Sequence, residues 1–270
     1  MDYADKNSIL LEVNENDQEN VYSIFRIIDK HNSELLKLIM NYANKNNILL
    51  KINEKNNDGK SILYRAIDVN NFNIIKLVLD YATEKHITVR MNDKDNHGRN
   101  LIFPLVQRNR PDLFRLIMDY ALKNNITLKI DEKDHNKCYP FFYAVDNNCV
   151  EGVEFLIEYA TNNNIIMKIN DRVINKDYPL FNAVKHNRVN LIKLIMKYAN
   201  ENHISLNLNE TNCSGDYPLL SAVEDNRIEI VDLLLNYAND RNIPLDINKK
   251  KKKSSHYWWQ FLRITMSSLS

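Results

Sequence analysis

The chain has 270 residues, of which 44% are hydrophobic and 26% charged, and its formal net charge at pH 7 is +1. This composition allows a sizeable core in one or two domains and excludes a disordered chain. Four glycines are too few for the clustered loops that cradle phosphates, and three cysteines are too few for a disulfide framework. Because the sequence shows neither a signal peptide nor an apolar run of about 18 residues, we expect an intracellular protein, first cytoplasmic and alternatively nuclear.

The dipeptide Tyr-Ala recurs at a constant interval of 39 residues along the chain. Its tyrosines are residues 3, 42, 81, 120, 159, 198 and 237. A fixed period of this length indicates a repeat architecture in which neighbouring units bury a shared core. We divide the chain into six repeats, 14–52, 53–91, 92–130, 131–169, 170–208 and 209–247. Residues 1–13 resemble the end of a repeat, so we expect them to be the C-terminal part of a preceding one.

The repeat 170–208 shows the predicted elements in chain order. It opens with a polar turn, after which Tyr178-Pro179 begins a short apolar helix, since proline suits the first turn of a helix. That helix stops near Asn187, and asparagine recurs there in five repeats, as expected of a residue that tolerates left-handed backbone. A longer amphipathic helix follows, with apolar residues at i, i+3, i+4 and i+7: Leu191, Leu194, Ile195 and Tyr198. Apolar residues then alternate, which indicates a short extended arm over 204–208.

The repeat resembles the ankyrin repeat. The family block D-x-x-G matches Asp95 to Gly98, the block T-P-L-H matches Tyr178-Pro179-Leu180-Phe181, and the alanine that follows is Ala183. The resemblance covers about 14–247. It implies an all-α repeat solenoid of stacked helix-turn-helix units with short extended hairpin arms, and a concave groove formed by turns and first helices. It also implies a non-enzymatic module that binds a protein partner.

The sequence departs from the family pattern in four respects. The repeat is 39 rather than 33 residues long, and the tyrosine of Tyr-Ala replaces the usual glycine, so we expect a longer second helix. Phenylalanine, tyrosine or leucine replaces the histidine of T-P-L-H, so the hydrogen bond of that histidine to the loop is expected to be absent. Repeat 92–130 has Leu105 in place of the alanine, with Pro104 before it.

No catalytic or metal-binding pattern appears in the sequence. The seven histidines are scattered, and Cys138, Cys149 and Cys213 lack the paired spacing of zinc ligands. No G-x-S-x-G nucleophile motif is present. We therefore expect no enzyme, cofactor, metal ion or small-molecule substrate, and nucleic acid is a weak alternative to a protein partner.

The exposed positions of the first helix vary in chemistry, as expected of a tunable binding surface. The residue after the T-P-L-H block is Arg26, Arg65, Pro104, Tyr143, Asn182 or Ser221 in successive repeats. The positions three and four residues later vary as well, and six candidate partner-binding residues follow from these three positions: Arg65, Arg108, Tyr143, Asp146, Lys185 and His186. Neutral drift of a solvated surface is the alternative explanation. Two other functions also remain open, a substrate-recruiting adaptor within a larger signalling or ubiquitin-ligase protein and a passive spacer.

Residues 248–270 break the repeat pattern. They hold a lysine run, Lys249 to Lys253, and the chain's two tryptophans, Trp258 and Trp259. This tail is either a basic, aromatic appendage or a non-native product of a slipped reading frame, and the abrupt loss of asparagine and of period favours the second. We expect it to be disordered and dispensable, unless the tryptophans cap the end of the solenoid.

Overall fold

The computed structural model describes residues 11–15 and 22–246, within which twelve helices form six pairs. The short first helices are α1 (Ser23–Asp29), α3 (Ile62–Asp68), α5 (Ile102–Gln107), α7 (Pro140–Asp146), α9 (Pro179–Lys185) and α11 (Pro218–Glu224). The longer second helices are α2 (Ser33–Lys45), α4 (Phe72–Glu84), α6 (Pro111–Lys123), α8 (Val150–Asn162), α10 (Val189–Glu201) and α12 (Ile228–Asp240). Every second helix has 13 residues, and their first residues are 39 positions apart.

Local sequence explains where the helices begin. Pro140, Pro179 and Pro218 are the first residues of α7, α9 and α11, where the missing N–H costs no hydrogen bond. In α3 the cap is Ser61, whose hydroxyl accepts from the backbone N–H of Tyr64. Pro104 lies three residues into α5, early enough to be tolerated in the first turn, and α5 is one residue shorter than the other first helices.

Left-handed backbone ends both helices of each pair and shapes the turn between pairs. After the first helix these residues are His31, Asn70, Asn109, Asn148, Asn187 and Asn226. After the second helix they are Asn47, His86, Asn125, Asn164, His203 and Asn242. The turn uses Gly59, Gly98, Lys137, Lys176 and Gly215. The predicted role of the asparagines after the first helix is confirmed, and the two lysines adopt the same conformation although they have a Cβ atom.

The chain divides into two compact units, one up to His135 and one from Asn136 onward. In the first, which we call unit 1, α1 packs against α3 and α3 against α5, while α2 packs against α4 and α4 against α6. In unit 2, α7, α9 and α11 form one layer and α8, α10 and α12 the other. Each unit is therefore a two-layered stack of helix pairs, as expected of an all-α repeat solenoid.

The predicted stripes form the core of both units, except at the second stripe position, where Leu77, Leu194 and Leu233 are each half-exposed. Ile74 in α4 and Leu191 in α10 lie 117 residues apart, which is three repeats, and both are fully buried. Leu194, which the helical stripe predicted to be in the core, is half-exposed because it lies at the edge of the apolar face of α10. The second helices continue past the tyrosine of Tyr-Ala, as predicted, since α10 reaches Glu201 beyond Tyr198.

The arms follow the predicted alternation without forming regular strands. Leu206 and Leu208 are buried, while Asn207 between them is half-exposed. Between two described residues, strand-like pairing is seen in an isolated bridge of Lys55 with Ser61. Hydrogen bonds from the arms to side chains hold the arms in place instead. The hydroxyl of Tyr81 accepts from the N–H of Leu50 in the preceding arm at 3.0 Å.

A recurring asparagine makes a second link between consecutive arms. In each case its Nδ2 donates to a carbonyl 35 residues onward at 2.7–2.9 Å. Its Oδ1 accepts from the N–H two residues further at 2.9–3.2 Å. These asparagines are Asn14, Asn53, Asn92, Asn170 and Asn209. The first position of the predicted repeat is thus a structural link between arms.

Several sequence predictions lie outside the described residues. The division of the chain into six repeats stays a prediction, and residues 1–10, 16–21 and 247–270 are not described. The predictions for the lysine run, Trp258 and Trp259 fall in the last of these ranges.

Candidate functional site

The exposed side of the first helices is the surface on which the sequence varies. In α3, Ile62, Leu63, Tyr64, Ala66 and Ile67 are buried, and Arg65 and Asp68 remain partly accessible. We use the name first-helix face for residues 65, 68, 69 and 71 and for the residues at multiples of 39 from them. All six candidate binding residues are partly or well exposed. Arg65 lies on α3, Tyr143 and Asp146 lie on α7, and Lys185 lies on α9. Arg108 and His186 directly follow α5 and α9.

In unit 1 the candidates Arg65 and Arg108 are brought together by one carboxylate. Asp68 Oδ2 accepts from Lys60 Nζ and from Arg65 Nη1, each at 2.9 Å. Arg108 Nη2 approaches Asp68 Oδ1 at 3.1 Å. Arg65 Nε also donates to Asp29 at 2.8 Å. We call these five residues the basic cluster, because three cations share two carboxylates.

The cluster perturbs the acid–base behaviour of its central carboxyl. Burial alone would raise the pKa of Asp68, but hydrogen bonds from Lys60 and Arg65 outweigh burial and hold this pKa below its ordinary value. Arg108 also donates to the main-chain carbonyl of Asp68, at the end of α3, where a cation interacts favourably with the helix dipole. Asp68 therefore stays ionised at neutral pH with three cations around it.

In unit 2 the side-chain amide of Asn182 links the charged residues of the corresponding surface. Tyr143 is half-exposed on α7, and Asp146 is exposed at the end of the same helix. Asp146 Oδ1 accepts from Asn182 Nδ2 at 2.9 Å, and Asn182 Oδ1 accepts from Arg188 Nη1 at 3.2 Å. Arg188 also donates to the carbonyl of Val145 near the end of α7. This chain of hydrogen bonds fixes Asp146 on the first-helix face.

Lys185 and His186 are exposed at the end of α9. Lys185 Nζ lies 3.9 Å from Asp177 Oδ2. Burial is the main cause that lowers the pKa of His186, and the positive charges of Arg188 and Lys185 lower it further. The negative charge of Asp146 opposes this shift. The lowered pKa favours the neutral imidazole, which can donate or accept a hydrogen bond.

Two of the variable positions are not accessible. Pro104 is buried in α5, and Asn182 is only 3% exposed. The position that follows the T-P-L-H block therefore contributes to the surface in some repeats and to packing in others. Arg108 and Tyr143, which lie in adjacent repeats of the predicted division, belong to unit 1 and unit 2 respectively.

The sequence predicted that the residue at the histidine position of T-P-L-H makes no hydrogen bond to the loop. This prediction is wrong for Tyr64. Its hydroxyl donates to Asp95 Oδ2 at 3.0 Å, in the turn of the next repeat. Asp95 also accepts from the backbone N–H groups of His97 and Arg99, both at 2.9 Å, and Arg99 Nη2 lies 3.1 Å from its Oδ2. Burial would raise the pKa of Asp95, but the bonds from Arg99 and His97 lower it overall. A phenolic hydroxyl replaces the imidazole because it is long enough to reach this turn.

The described residues hold no group of three or more His, Cys, Asp and Glu side chains arranged to bind a metal ion. None of the described helices combines the length and apolar character needed to cross a membrane. Sequence reasoning missed the hydrogen bonds of the periodic tyrosines and asparagines, although their 39-residue spacing is visible in the sequence.

Comparison with known proteins identifies the repeat. Residues 163–246 match the sequence family described as ankyrin repeats in three copies. Residues 163–246 therefore belong to the ankyrin repeat family. Solved ankyrin structures support this fold. The ankyrin repeat domain of Bcl-3, a member of the IkappaB protein family, is 18% identical, with a TM-score of 0.63 over 89% of this chain and 97% of that chain.

An ankyrin repeat domain from Acinetobacter baumannii AYE is 17% identical to this chain, with a TM-score of 0.61 over 80% of this chain and 98% of that chain. No curated protein sequence matches the chain. Ankyrin repeats are in general protein–protein interaction modules, and stacked repeats offer an extended surface to a partner.

Proposed function

We propose that this ankyrin chain is a non-enzymatic module that binds a protein partner through the first-helix face. The contacting residues are Arg65 and Arg108 in unit 1 and Tyr143, Asp146, Lys185 and His186 in unit 2. Tyrosine and arginine are the residue types that most often concentrate binding energy at protein interfaces. Within this set, Arg65, Arg108 and Tyr143 serve as the main anchors.

A contrast between adjacent residues in each first helix carries the proposal. The buried position is always a branched apolar residue: Ile28, Ile67, Val106, Val145, Val184 and Val223. The next residue changes in charge and size along the same series: Asp29, Asp68, Gln107, Asp146, Lys185 and Glu224. The scaffold is thus constant at one position while the chemistry changes at its neighbour. This is the arrangement expected of a binding surface carried by a repeat scaffold.

A photoreactive side chain tests where the partner lies. The full chain is prepared with p-benzoylphenylalanine in place of Tyr143 on the first-helix face, and the matched control has it in place of Lys197 on α10. Lys197 is well exposed, with a side-chain accessibility of 71%, and its ion pair with Glu201 is internal to α10. Both proteins are irradiated in a lysate of the source cells, and the cross-linked proteins are identified by mass spectrometry.

We expect a discrete partner to be cross-linked at position 143 and to be absent or much weaker at position 197. Cross-linking of the same partner only from position 197 would place it on the second helices and contradict the proposal. If neither position captures a protein above the background of an unirradiated sample, the chain acts as a spacer instead.

A further inference from the structure

The first-helix face differs in charge between the two units. At its four positions per repeat, unit 1 has five cations and two carboxylates: Arg26, Lys30, Arg65, Arg108, Arg110, Asp29 and Asp68. Unit 2 has three cations and three carboxylates: Lys185, Arg188, Arg227, Asp146, Glu224 and Asp225. Arg110 pairs with Asp112 beside it. Unit 1 therefore carries an excess of positive charge on this face, whereas unit 2 is balanced.

Residues three repeats apart show how the difference arises. Lys60, Asp68 and Arg108 in unit 1 correspond to Asp177, Lys185 and Asp225 in unit 2. The ion pair of Lys60 with Asp68, at 2.9 Å, is thus replaced by one of reversed sign, Lys185 with Asp177 at 3.9 Å. The reversal leaves the basic cluster of unit 1 with no equivalent in unit 2.

The basic cluster retains hydrogen-bond donors that its own carboxylates do not use. The hydrogen bonds of Arg65 involve Nε and Nη1, and those of Arg108 involve Nη2, so Arg65 Nη2 and Arg108 Nη1 make none with the described residues. Arg108 Nε is buried and also without a hydrogen-bond partner. The two side chains are about one-third accessible, at 29% and 32%. Exposed Lys30, next to Asp29 in the chain, makes no ion pair with the described residues.

We propose that the basic cluster of unit 1 binds an acidic segment of the partner, with Asp or Glu carboxylates accepting from Arg65 and Arg108 and attracted by Lys30. This inference rests on the proposed function and specifies the chemistry of the partner. Guanidinium groups match carboxylates in geometry, and their hydrogen bonds to ionised acceptors are stronger than neutral ones. The lysine run of the chain's own tail has the wrong sign for this site.

The test measures binding of a fluorescein-labelled hexaglutamate peptide to the full chain by fluorescence anisotropy. The reference protein has Lys249 to Lys253 replaced by Gln, because those five lysines would bind the probe themselves. In that background, the unit 1 variant combines Arg65→Gln with Arg108→Gln, and its matched control in unit 2 combines Arg188→Gln with Arg227→Gln. Lys30→Gln is a further variant that breaks no ion pair of the described residues.

We expect the reference protein to bind hexaglutamate more weakly as salt rises, and not to bind labelled hexalysine. The unit 1 variant should lose about tenfold in affinity and Lys30→Gln about twofold, on the scale of exposed charge interactions, while the unit 2 control changes less than twofold. Circular-dichroism melting curves establish that each variant is folded.

Equal losses in both double variants, no binding of hexaglutamate, or binding of hexalysine would overturn the inference. These outcomes leave the photo-cross-link at position 143 unaffected. A failure of the acidic-segment inference is therefore distinguishable from a failure of the proposed function.

Discussion

Units 1 and 2 use one scaffold to present two different surfaces. Residues three repeats apart have matching structural roles: Leu50 N–H donates to Tyr81 and Met167 N–H donates to Tyr198, both at 3.0 Å. On the first-helix face the corresponding residues differ, since Arg65 pairs with Asp68 and Asp29, whereas Asn182 bonds to Asp146 and Arg188. The buried and exposed residues of one short helix are therefore under different physical constraints. Stability should respond alike to equivalent changes in the two units, whereas binding should not.

Removal of a core side chain is the most severe test of the shared scaffold. Ile74→Ala in unit 1 and Leu191→Ala in unit 2 each leave a cavity at a fully buried position. Each should lower the free energy of unfolding by about 2–5 kcal/mol. Leu194→Ala, at a half-exposed position, is the control and should cost clearly less. Urea denaturation followed by circular dichroism measures all three, and a large difference between the first two would break the equivalence of the units.

Asp95→Asn tests a feature that unit 1 has and unit 2 lacks. Three repeats onward the same position is Asn212, whose Oδ1 accepts from Ser214 N–H at 2.8 Å and Asp216 N–H at 3.0 Å. The variant should therefore keep the turn and lose the ion pair with Arg99 and the bond from Tyr64. We expect a loss of about 2–3 kcal/mol of stability at pH 7.

The pH dependence of that loss follows from the lowered pKa of Asp95. A carboxyl whose folded pKa lies below its ordinary value of 3.8 contributes stability above about pH 4 and loses it as the pH falls through the folded pKa. The stability difference between wild type and Asp95→Asn should therefore shrink as the pH falls from 5 to 2. Denaturation curves across this range measure it, and a difference that is independent of pH would show that the charge of Asp95 is not the cause.

Tyr81→Phe and Tyr198→Phe remove the hydroxyl that links an arm to the following helix pair. Each leaves the backbone N–H of Leu50 or Met167 without its acceptor, which should cost about 1–2 kcal/mol in either unit. Thermal melts compare the two variants. Unchanged stability in both would mean that water replaces the hydroxyl.

The smallest expected effects concern the turn between pairs. Lys176 has a φ of 63° where unit 1 has Gly59 with a φ of 74°. Lys176→Gly should stabilise the chain by about 0.5–1 kcal/mol, because glycine adopts this conformation without strain. Gly59→Ala should destabilise it, since the added Cβ would meet the side chain of Asn96. Melting temperatures that shift in the same direction for both changes would contradict this explanation.

The sequence predicted those features that depend on a local pattern repeated many times. Helix pairs, proline at the first turn and left-handed asparagines each follow from a few adjacent residues, so the period made them visible. The bonds of Asn53 to Thr88 and Arg90 were missed because they join residues 35–37 apart.

The candidate site was less predictable because its geometry depends on pairs of charges in different repeats. The contact of Arg108 with Asp68 spans 40 residues, and no local pattern indicates that these two side chains meet. Burial of Pro104 and Asn182 likewise depends on what packs beside each helix. The sequence alone predicts which exposed positions vary, but it does not predict the ion pairs that these side chains form.

The most direct test of the account is the double variant Arg108→Ala with Tyr143→Ala, one change in each unit. The measurements are its affinity for the partner that cross-links at position 143 and its melting temperature. We predict a loss of about 1–4 kcal/mol in binding free energy, with little change in melting temperature because both side chains are partly exposed. If the double variant retains the affinity of the wild type, the first-helix face does not bind the partner and the central claim is wrong.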